Sequence, residues 1–305
     1  MTNLQLVPET VKVNAPSISS SAMLVELSIG IWEGRKKDRR ASAAVTSSNN
    51  ASRGIATVNK KLLGDCPELE AIKAFVSMVR QWNIRCTLPW ATRGPRLLTN
   101  AQFFDYQNEA TGYEARFTEL VEDFLDVYTW AITDVQVKLG NLFDANDYPS
   151  VEELRGKFRY DLIYMPLPES GDFRLDTGNQ AMEVVQQQLK DQYQTFYTEQ
   201  INAAMKDLWQ RLLEPLKNMS DRLNYEDGER PTGFRDTLVS NVQEIAKLLS
   251  TCNVTGDKDM ERVRQELVSA LRGVTPEALR NDAHTRRKTK EEVDAIIKGL
   301  PSLDW

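Results

Sequence analysis

The chain has 305 residues and a formal net charge of −6 at pH 7, with 41% hydrophobic and 27% charged residues. This length fits one large domain or two ordinary ones, and the composition is typical of a chain that buries a core. No apolar run approaches the ~20 residues of a transmembrane helix, and residues 1–16 lack the pattern of a secretory signal. We therefore expect a cytoplasmic protein without a membrane anchor.

The residue types that commonly carry out catalysis are scarce. His284 is the only histidine, which excludes multi-histidine metal sites and disfavours a histidine-based triad; its polar, basic surroundings predict a surface position. Cys66, Cys86 and Cys252 show no CxxC spacing, and neither a GxxxxGK[ST] loop nor a GxGxxG loop occurs. The sequence thus predicts no metal, no cofactor and no catalytic residue. An enzyme with an unusual carboxylate or thiol site stays as a minor alternative.

The first third of the chain predicts an arm, a strand and a loop. Residues 1–20 are polar, contain two prolines and predict an extended N-terminal arm. Apolar and polar residues then alternate over residues 23–32, which indicates a half-buried strand. A basic run follows, and the small polar residues 41–54 predict a loop or mobile lid.

Helical spacing dominates the rest of the chain. Apolar steps of three and four residues predict helices at 67–82, 103–140, 177–225, 234–250, 257–272 and 290–298, with a short helix from Pro276. The helix over 103–140 has an acidic outer face, and Pro215 is expected to kink or break the longest helix. Residues 86–98 predict irregular chain. Ser150 and Glu153 form a capping box before a second strand near 158–164.

These patterns together predict a mainly α protein. Long antiparallel helices, around 103–140 and 177–214, would combine with a small β element of two or three short strands. We expect three parts: the N-terminal arm over 1–20, a main helical domain with the small sheet over 21–225, and a C-terminal helical region over 226–305.

Charge is distributed unevenly along the chain. The first 98 residues hold 14 Lys+Arg and 7 Asp+Glu, whereas the remaining residues hold 24 and 37. This asymmetry predicts either a polyanion site in the first third or contact between copies of the chain. The candidate binding residues are cations and aromatic rings: Trp32, Arg35, Lys36, Lys37, Arg39, Arg40, Trp90, Arg93 and Arg96. They would contact single-stranded nucleic acid, dock an acidic helix of a neighbour, or form a solvated loop without a binding role.

A second basic run lies near the end of the chain. Its candidate docking residues are Arg286, Arg287, Lys288 and Trp305. Thr289 and Glu292 match a capping box that would start the last helix. The pattern fits a solvated linker or, alternatively, a short terminal helix that inserts into a partner's groove.

Three stretches resemble one protein family. They are LVELSIGIWEGRKKD (24–38), TLPWA with RLLTNAQFFDY (87–91 and 96–106), and DYPSVEELRGKF with PLPESGDF (147–158 and 166–173). The family is of unknown function, occurs in tailed phages, plasmids and some bacteria, and is encoded near a MoxR-like AAA ATPase and a von Willebrand A-domain protein. The resemblance covers roughly residues 22–175. It implies a mobile-element origin and an ATPase-linked partner, and it carries over no catalytic residues.

Two hypotheses for function follow from the sequence. The first is a phage-type, non-enzymatic interaction protein that forms homo-oligomers through long helices and charge complementarity, as an accessory to an AAA ATPase. The alternative is a single-strand nucleic-acid-binding protein for phage replication or recombination, which would use the basic first third.

Overall fold

The protein is mainly α-helical and divides into two compact units. The computed structural model describes residues 20–168, 180–225 and 236–301. The first unit contains the described residues of Met1–Val25, Cys86–Phe103 and Tyr164–Trp305, and the second unit contains Glu26–Arg85 and Phe104–Ile163. The predicted fold class, long helices with a small antiparallel β element, is confirmed. The units cut across the domain limits expected from the sequence, and most of the predicted arm lies outside the described residues.

The described residues form six strands and nine α-helices. The strands are β1 Ala22–Gly30, β2 Arg35–Asp38, β3 Val58–Lys61, β4 Leu88–Pro89, β5 Arg96–Thr99 and β6 Arg159–Pro166. The helices are α1 Arg39–Ser48, α2 Pro67–Cys86, α3 Phe103–Leu139, α4 Val151–Arg155, α5 Gln180–Leu223, α6 Thr237–Cys252, α7 Lys258–Ala270, α8 Pro276–Asn281 and α9 Ala283–Lys298. Of the helices in the described ranges, none has the length and apolar character needed to cross a membrane.

The strands form two antiparallel sheets. One has four strands in the order β4-β5-β1-β6, and the other pairs β2 with β3. The two strands predicted from alternation correspond to β1 and β6 and are confirmed. The region predicted as irregular, residues 86–98, instead contains β4 and most of β5. Leu88 pairs with Leu97 there, and both side chains are fully buried, so strand pairing supplies the hydrogen bonds that their buried backbone needs.

The core of the first unit is built on α5. This helix packs against α6, α9 and β4, while α7 packs on α6 and α9. Its buried residues recur in helical steps: Tyr197, Ile201, Met205, Leu208, Leu212, Leu216 and Met219. Pro215 lies inside the helix without ending it. Of the predicted kink or break, the break does not occur, because the apolar contacts on both sides of Pro215 hold the helix across the missing hydrogen bond.

The core of the second unit is aromatic. Trp82 on α2 stacks on Tyr106 of α3 with ring centroids 4.6 Å apart, and it meets Tyr113 edge-on at 4.9 Å. The Tyr106 hydroxyl donates to the side-chain oxygen of Asn83 at 2.8 Å. Further along α3, Phe124 packs on Phe158. The predicted capping box of Ser150 and Glu153 begins α4 and is confirmed.

Helix α1 replaces much of the predicted loop over residues 41–54. The Asp38 carboxylate caps it by accepting a hydrogen bond from the Ala41 amide at 2.8 Å. The hydroxyls of Ser42 and Thr46 face inward and donate to carbonyls one turn back. Ser42 also accepts a bond from the Val58 amide of β3 at 3.0 Å. The Ser/Ala composition that indicated a loop is therefore compatible with a helix, since its polar groups find partners.

The C-terminal basic run lies on helix α9. Asp282, not Thr289, caps α9, and Thr289 is buried inside that helix. Arg286 is only 3% exposed, and its guanidinium lies 4.1 Å from the centre of the Tyr225 ring. It donates to the carbonyl of Leu279 at 3.3 Å. This residue is thus a structural element of the first unit rather than part of a solvated linker or a docking surface.

Replacing Arg286 tests that role. We expect Arg286→Ala to lower the free energy of unfolding by about 3 kcal/mol, because it removes a buried cation–π contact and leaves buried carbonyls without donors. Urea unfolding followed by circular dichroism measures the change. Arg287→Ala, an exposed neighbour on the same helix, is the matched control and should leave the midpoint unchanged. Equal midpoints for the two variants would contradict this assignment.

Candidate functional site

The basic run of the first third forms strand β2 and the first turn of α1. Strand β2 pairs with β3 so that Arg35 lies opposite Lys61 and Lys36 lies opposite Lys60. Like charges directly opposite each other destabilise a β-ribbon. The ribbon therefore needs nearby anions to balance its charge.

Asp147 supplies most of that balance. Its carboxylate lies 2.6 Å from the Nζ atom of Lys36 and 2.6 Å from the Nζ atom of Lys60. Asp38 lies 3.5 Å from the same Lys60 ammonium, which also donates to the Leu142 carbonyl. The side chains of Lys60 and Asp147 are only 6% and 7% exposed. The network fastens the ribbon to the segment that follows α3.

The network keeps its members ionised. Burial raises the pKa of Asp147, but hydrogen bonds from Lys36 and Lys60 outweigh it, so this pKa lies below its usual value. Burial lowers the pKa of Lys60, but Asp147 and Asp38 outweigh it, so that pKa lies above its usual value. The hydrogen bond from the Ala41 amide is the main cause of a lowered pKa at Asp38. All three groups are therefore charged at neutral pH.

The remaining cations of the run point into solvent. Arg35, Lys37, Arg39 and Arg40 are exposed, and none has an ion-pair partner among the residues that the structure describes. We call these four residues the basic surface. Beside it lies a cleft of about 840 Å³, lined by Lys36, Lys37, Arg39 and Arg40 and, across from them, by Asn141 to Asp144. The basic surface and its cleft can therefore attract an anionic group.

The other candidates of the first set have structural contacts. Trp32 packs against Phe124 at 6.2 Å and edge-on against Tyr128 at 5.9 Å, inside the second unit. Trp90 is buried in the first unit, where it meets Tyr197 edge-on at 5.4 Å. Trp90 is therefore closed to a base, and the half-buried ring of Trp32 already packs against two aromatic side chains.

Two arginines of that set also lie in the first unit. Arg96 donates to the Thr87 hydroxyl at 2.6 Å and to its carbonyl, whereas Arg93 is exposed. Of the C-terminal candidates, Arg287 and Lys288 are exposed on α9, Lys288 lies 3.9 Å from Glu292, and Trp305 lies outside the described residues. The structure therefore brings together only the candidates from Trp32 to Arg40.

The acidic outer face predicted for helix α3 is present, and it carries an exposed tryptophan that the sequence reasoning missed. One straight line along its outer face holds Glu119, Asp123, Asp126, Trp130, Asp134 and Val137, all exposed, and we call this line the acidic stripe. Trp130 is 71% exposed. Asp134 pairs with Lys138, while Asp123 and Asp126 have no ion pair within the described part of the chain. The steps of three and four residues from Asp123 through Trp130 to Val137 are the sequence pattern that could have placed Trp130 on this acidic face.

Comparison of the chain with profiles of known protein families, with curated proteins and with solved structures gave no match.

Across residues 20–168, 180–225 and 236–301, no group of three or more His, Cys, Asp or Glu side chains is placed to hold a metal ion. The second unit thus carries two candidate binding surfaces: the basic surface, and the acidic stripe with its exposed indole.

Asp147→Asn tests the ion network under the basic surface. We expect the free energy of unfolding to fall by roughly 3 kcal/mol at pH 7, because Lys36 and Lys60 lose their common anion. A lowered pKa means that the stabilisation is present above the usual carboxylate range and is lost as the pH falls through the folded-state value. The gap between wild type and variant should therefore persist from neutral pH to about pH 5 and close in stronger acid.

Urea unfolding at a series of pH values measures this gap. The control is Asp65→Asn, which removes the exposed partner of Lys61 and should leave the midpoint unchanged. A gap that does not change between pH 7 and pH 3 would contradict an ionic role for Asp147.

Proposed function

We propose that this protein is a non-catalytic interaction protein of phage type that assembles with further copies of itself. The acidic stripe carries this proposal, because it places a 71% exposed tryptophan among carboxylates on a long, regular helix. Tryptophan is the residue type most enriched among energetic anchors of protein interfaces. An exposed ring of this size on a long helix therefore supports the proposal that a partner covers this surface.

Charge complementarity makes a second copy the natural partner. The chain exposes carboxylates on the acidic stripe and unpaired cations on the basic surface. A single copy thus presents charge of both signs on separate surfaces. Opposite potentials on such surfaces attract copies to one another and favour contact between unlike surfaces, a head-to-tail arrangement.

The resemblance to the phage and plasmid family suggests the setting. It favours a role in the host cytoplasm beside an AAA ATPase and a von Willebrand A-domain protein. Within this proposal the protein is an accessory that such an ATPase recruits or rearranges, and it needs no catalytic group or cofactor of its own.

Neutralising the acidic stripe tests self-association. We expect Asp123→Asn with Asp126→Asn to weaken association about three- to tenfold at low salt, because each exposed charge contact contributes little by itself. Sedimentation velocity and light scattering at about 50 mM salt, a Debye length near 14 Å, measure the effect, which high salt should shrink.

A matched pair on the same helix serves as the control. Glu109→Gln with Glu114→Gln removes the same charge outside the stripe and should change association less than twofold. A wild-type protein that stays strictly monomeric at high concentration and low salt would refute the proposed self-association.

Single-strand nucleic-acid binding is the second candidate function. The basic surface favours it, because its four exposed cations have no ion-pair partners in the described residues, and three of them, Lys37, Arg39 and Arg40, border the 840 Å³ cleft. Trp32 and Trp90 are occupied by protein contacts. Binding would therefore rest on phosphate contacts and depend weakly on base sequence.

An oligonucleotide titration tests this second candidate. For four phosphate contacts to a single strand, affinity should fall about 50-fold between 50 and 200 mM salt. Arg39→Ala with Arg40→Ala should reduce the slope of log K against log salt by about 1.4, whereas Arg287→Ala with Lys288→Ala should leave it unchanged. Fluorescence anisotropy of a labelled strand gives these slopes, and no binding at micromolar protein removes this candidate.

A further inference from the structure

The first unit carries an apolar groove between α6 and α7 that its own fold leaves open. The groove has a volume of about 480 Å³, and its floor is formed by Ala246, Leu267, Val268 and Leu271. Leu267 is fully buried, whereas Val268 is 46% exposed. The floor is thus partly core and partly open apolar surface of the kind that a partner's side chain covers.

Cations line the rim of this groove. Lys247 and Arg272 are exposed and have no ion-pair partner among the described residues. A third rim residue, Arg264, is held by Glu261 through two bonds of 2.6 and 2.7 Å. Two free positive charges therefore accompany the apolar floor, so an apolar group that carries carboxylates beside it fits here better than a neutral one.

The acidic stripe on α3 has the complementary pattern. Asp126 and Asp134 lie four residues before and after Trp130, which places them about 6 Å away along the helix axis on either side of the indole. Asp134 pairs with Lys138 on the same helix, and because this pair is exposed it contributes little and a cation of a partner can replace it. The indole of Trp130 is thus complementary to the apolar floor of the groove, and the carboxylates on either side of it are complementary to the two cations of the rim. The cleft at the basic surface offers cations too, but polar and charged side chains make up most of its lining.

We propose that Trp130 of one copy inserts into the α6–α7 groove of a second copy, with Asp126 and Asp134 facing Lys247 and Arg272. This inference rests on the proposed self-association and names the two surfaces that meet. Because the groove and the stripe are different surfaces, each copy can donate one tryptophan and accept another. Each copy can therefore take part in two such contacts, one through its ring and one through its groove.

Two single substitutions test the two halves of the contact. Trp130→Ala removes the inserted ring, and Val268→Glu places a charge on the exposed part of the floor. We expect each to weaken association about 30-fold or more, as for a central interface anchor. The matched controls are Phe104→Ala, an exposed aromatic elsewhere on α3, and Val184→Glu, an exposed valine on α5. Circular dichroism melting curves identify any variant that fails to fold.

Mixing the two variants gives the decisive result. Trp130→Ala copies keep the groove and Val268→Glu copies keep the ring, so an equimolar mixture should form dimers and nothing larger, while each variant alone stays monomeric. A mixture that stays monomeric overturns the inference, as does a Trp130→Ala protein that associates like wild type.

The outcomes separate this inference from the proposed function. A wild type that associates while both variants associate equally well leaves the proposed function standing and overturns the groove contact. Arg39→Glu with Arg40→Glu extends the comparison: loss of association there, with Val268→Glu unaffected, assigns the partner surface to the basic surface instead. A monomeric wild type refutes self-association itself, and the groove contact with it.

Discussion

The ion network of Asp147 with Lys36 and Lys60 is the interaction on which the basic surface depends. Strand pairing sets these lysines opposite each other, an arrangement that repels until an anion lies between them. Because Lys60 and Asp147 are almost fully buried, removing either one leaves the other charge only partly compensated in a poorly solvated place. The inward charges are thus neutralised within the fold, whereas Arg35, Lys37, Arg39 and Arg40 face solvent.

Asp38 connects this network to helix α1. Its carboxylate caps the helix and lies 3.5 Å from Lys60, so the ribbon and the helix share one anion. The cap also fixes Arg39 and Arg40 in the first turn, where the positive end of the helix dipole makes cations unfavourable. The two arginines therefore lower the stability of this helix end slightly, and an anionic partner at the basic surface would offset that loss.

The parts of the fold that follow from local pattern were predictable, and those that depend on distant contacts were not. Residues close together in the sequence determine three of these features: the alternation of β1, the long apolar faces of α3 and α5, and the Ser150 capping box. Helix α1 also makes a distant contact, the bond from the Val58 amide to Ser42 across 16 residues. The burial of Arg286 depends on Tyr225, which is 61 residues away. The sequence located the basic surface but could not distinguish tryptophans that pack from those that are exposed.

The acidic stripe shows why the exposed indole favours an unlike partner surface. An apolar ring exposed to water favours non-specific association, because two such rings on two copies would attract each other. Asp123 and Asp126 prevent this, since two stripes brought face to face would repel. The carboxylates therefore disfavour a symmetric pair of α3 helices and favour a partner surface that carries positive charge. In the proposed assembly, repulsion between like stripes and attraction toward cations both favour contact between unlike surfaces.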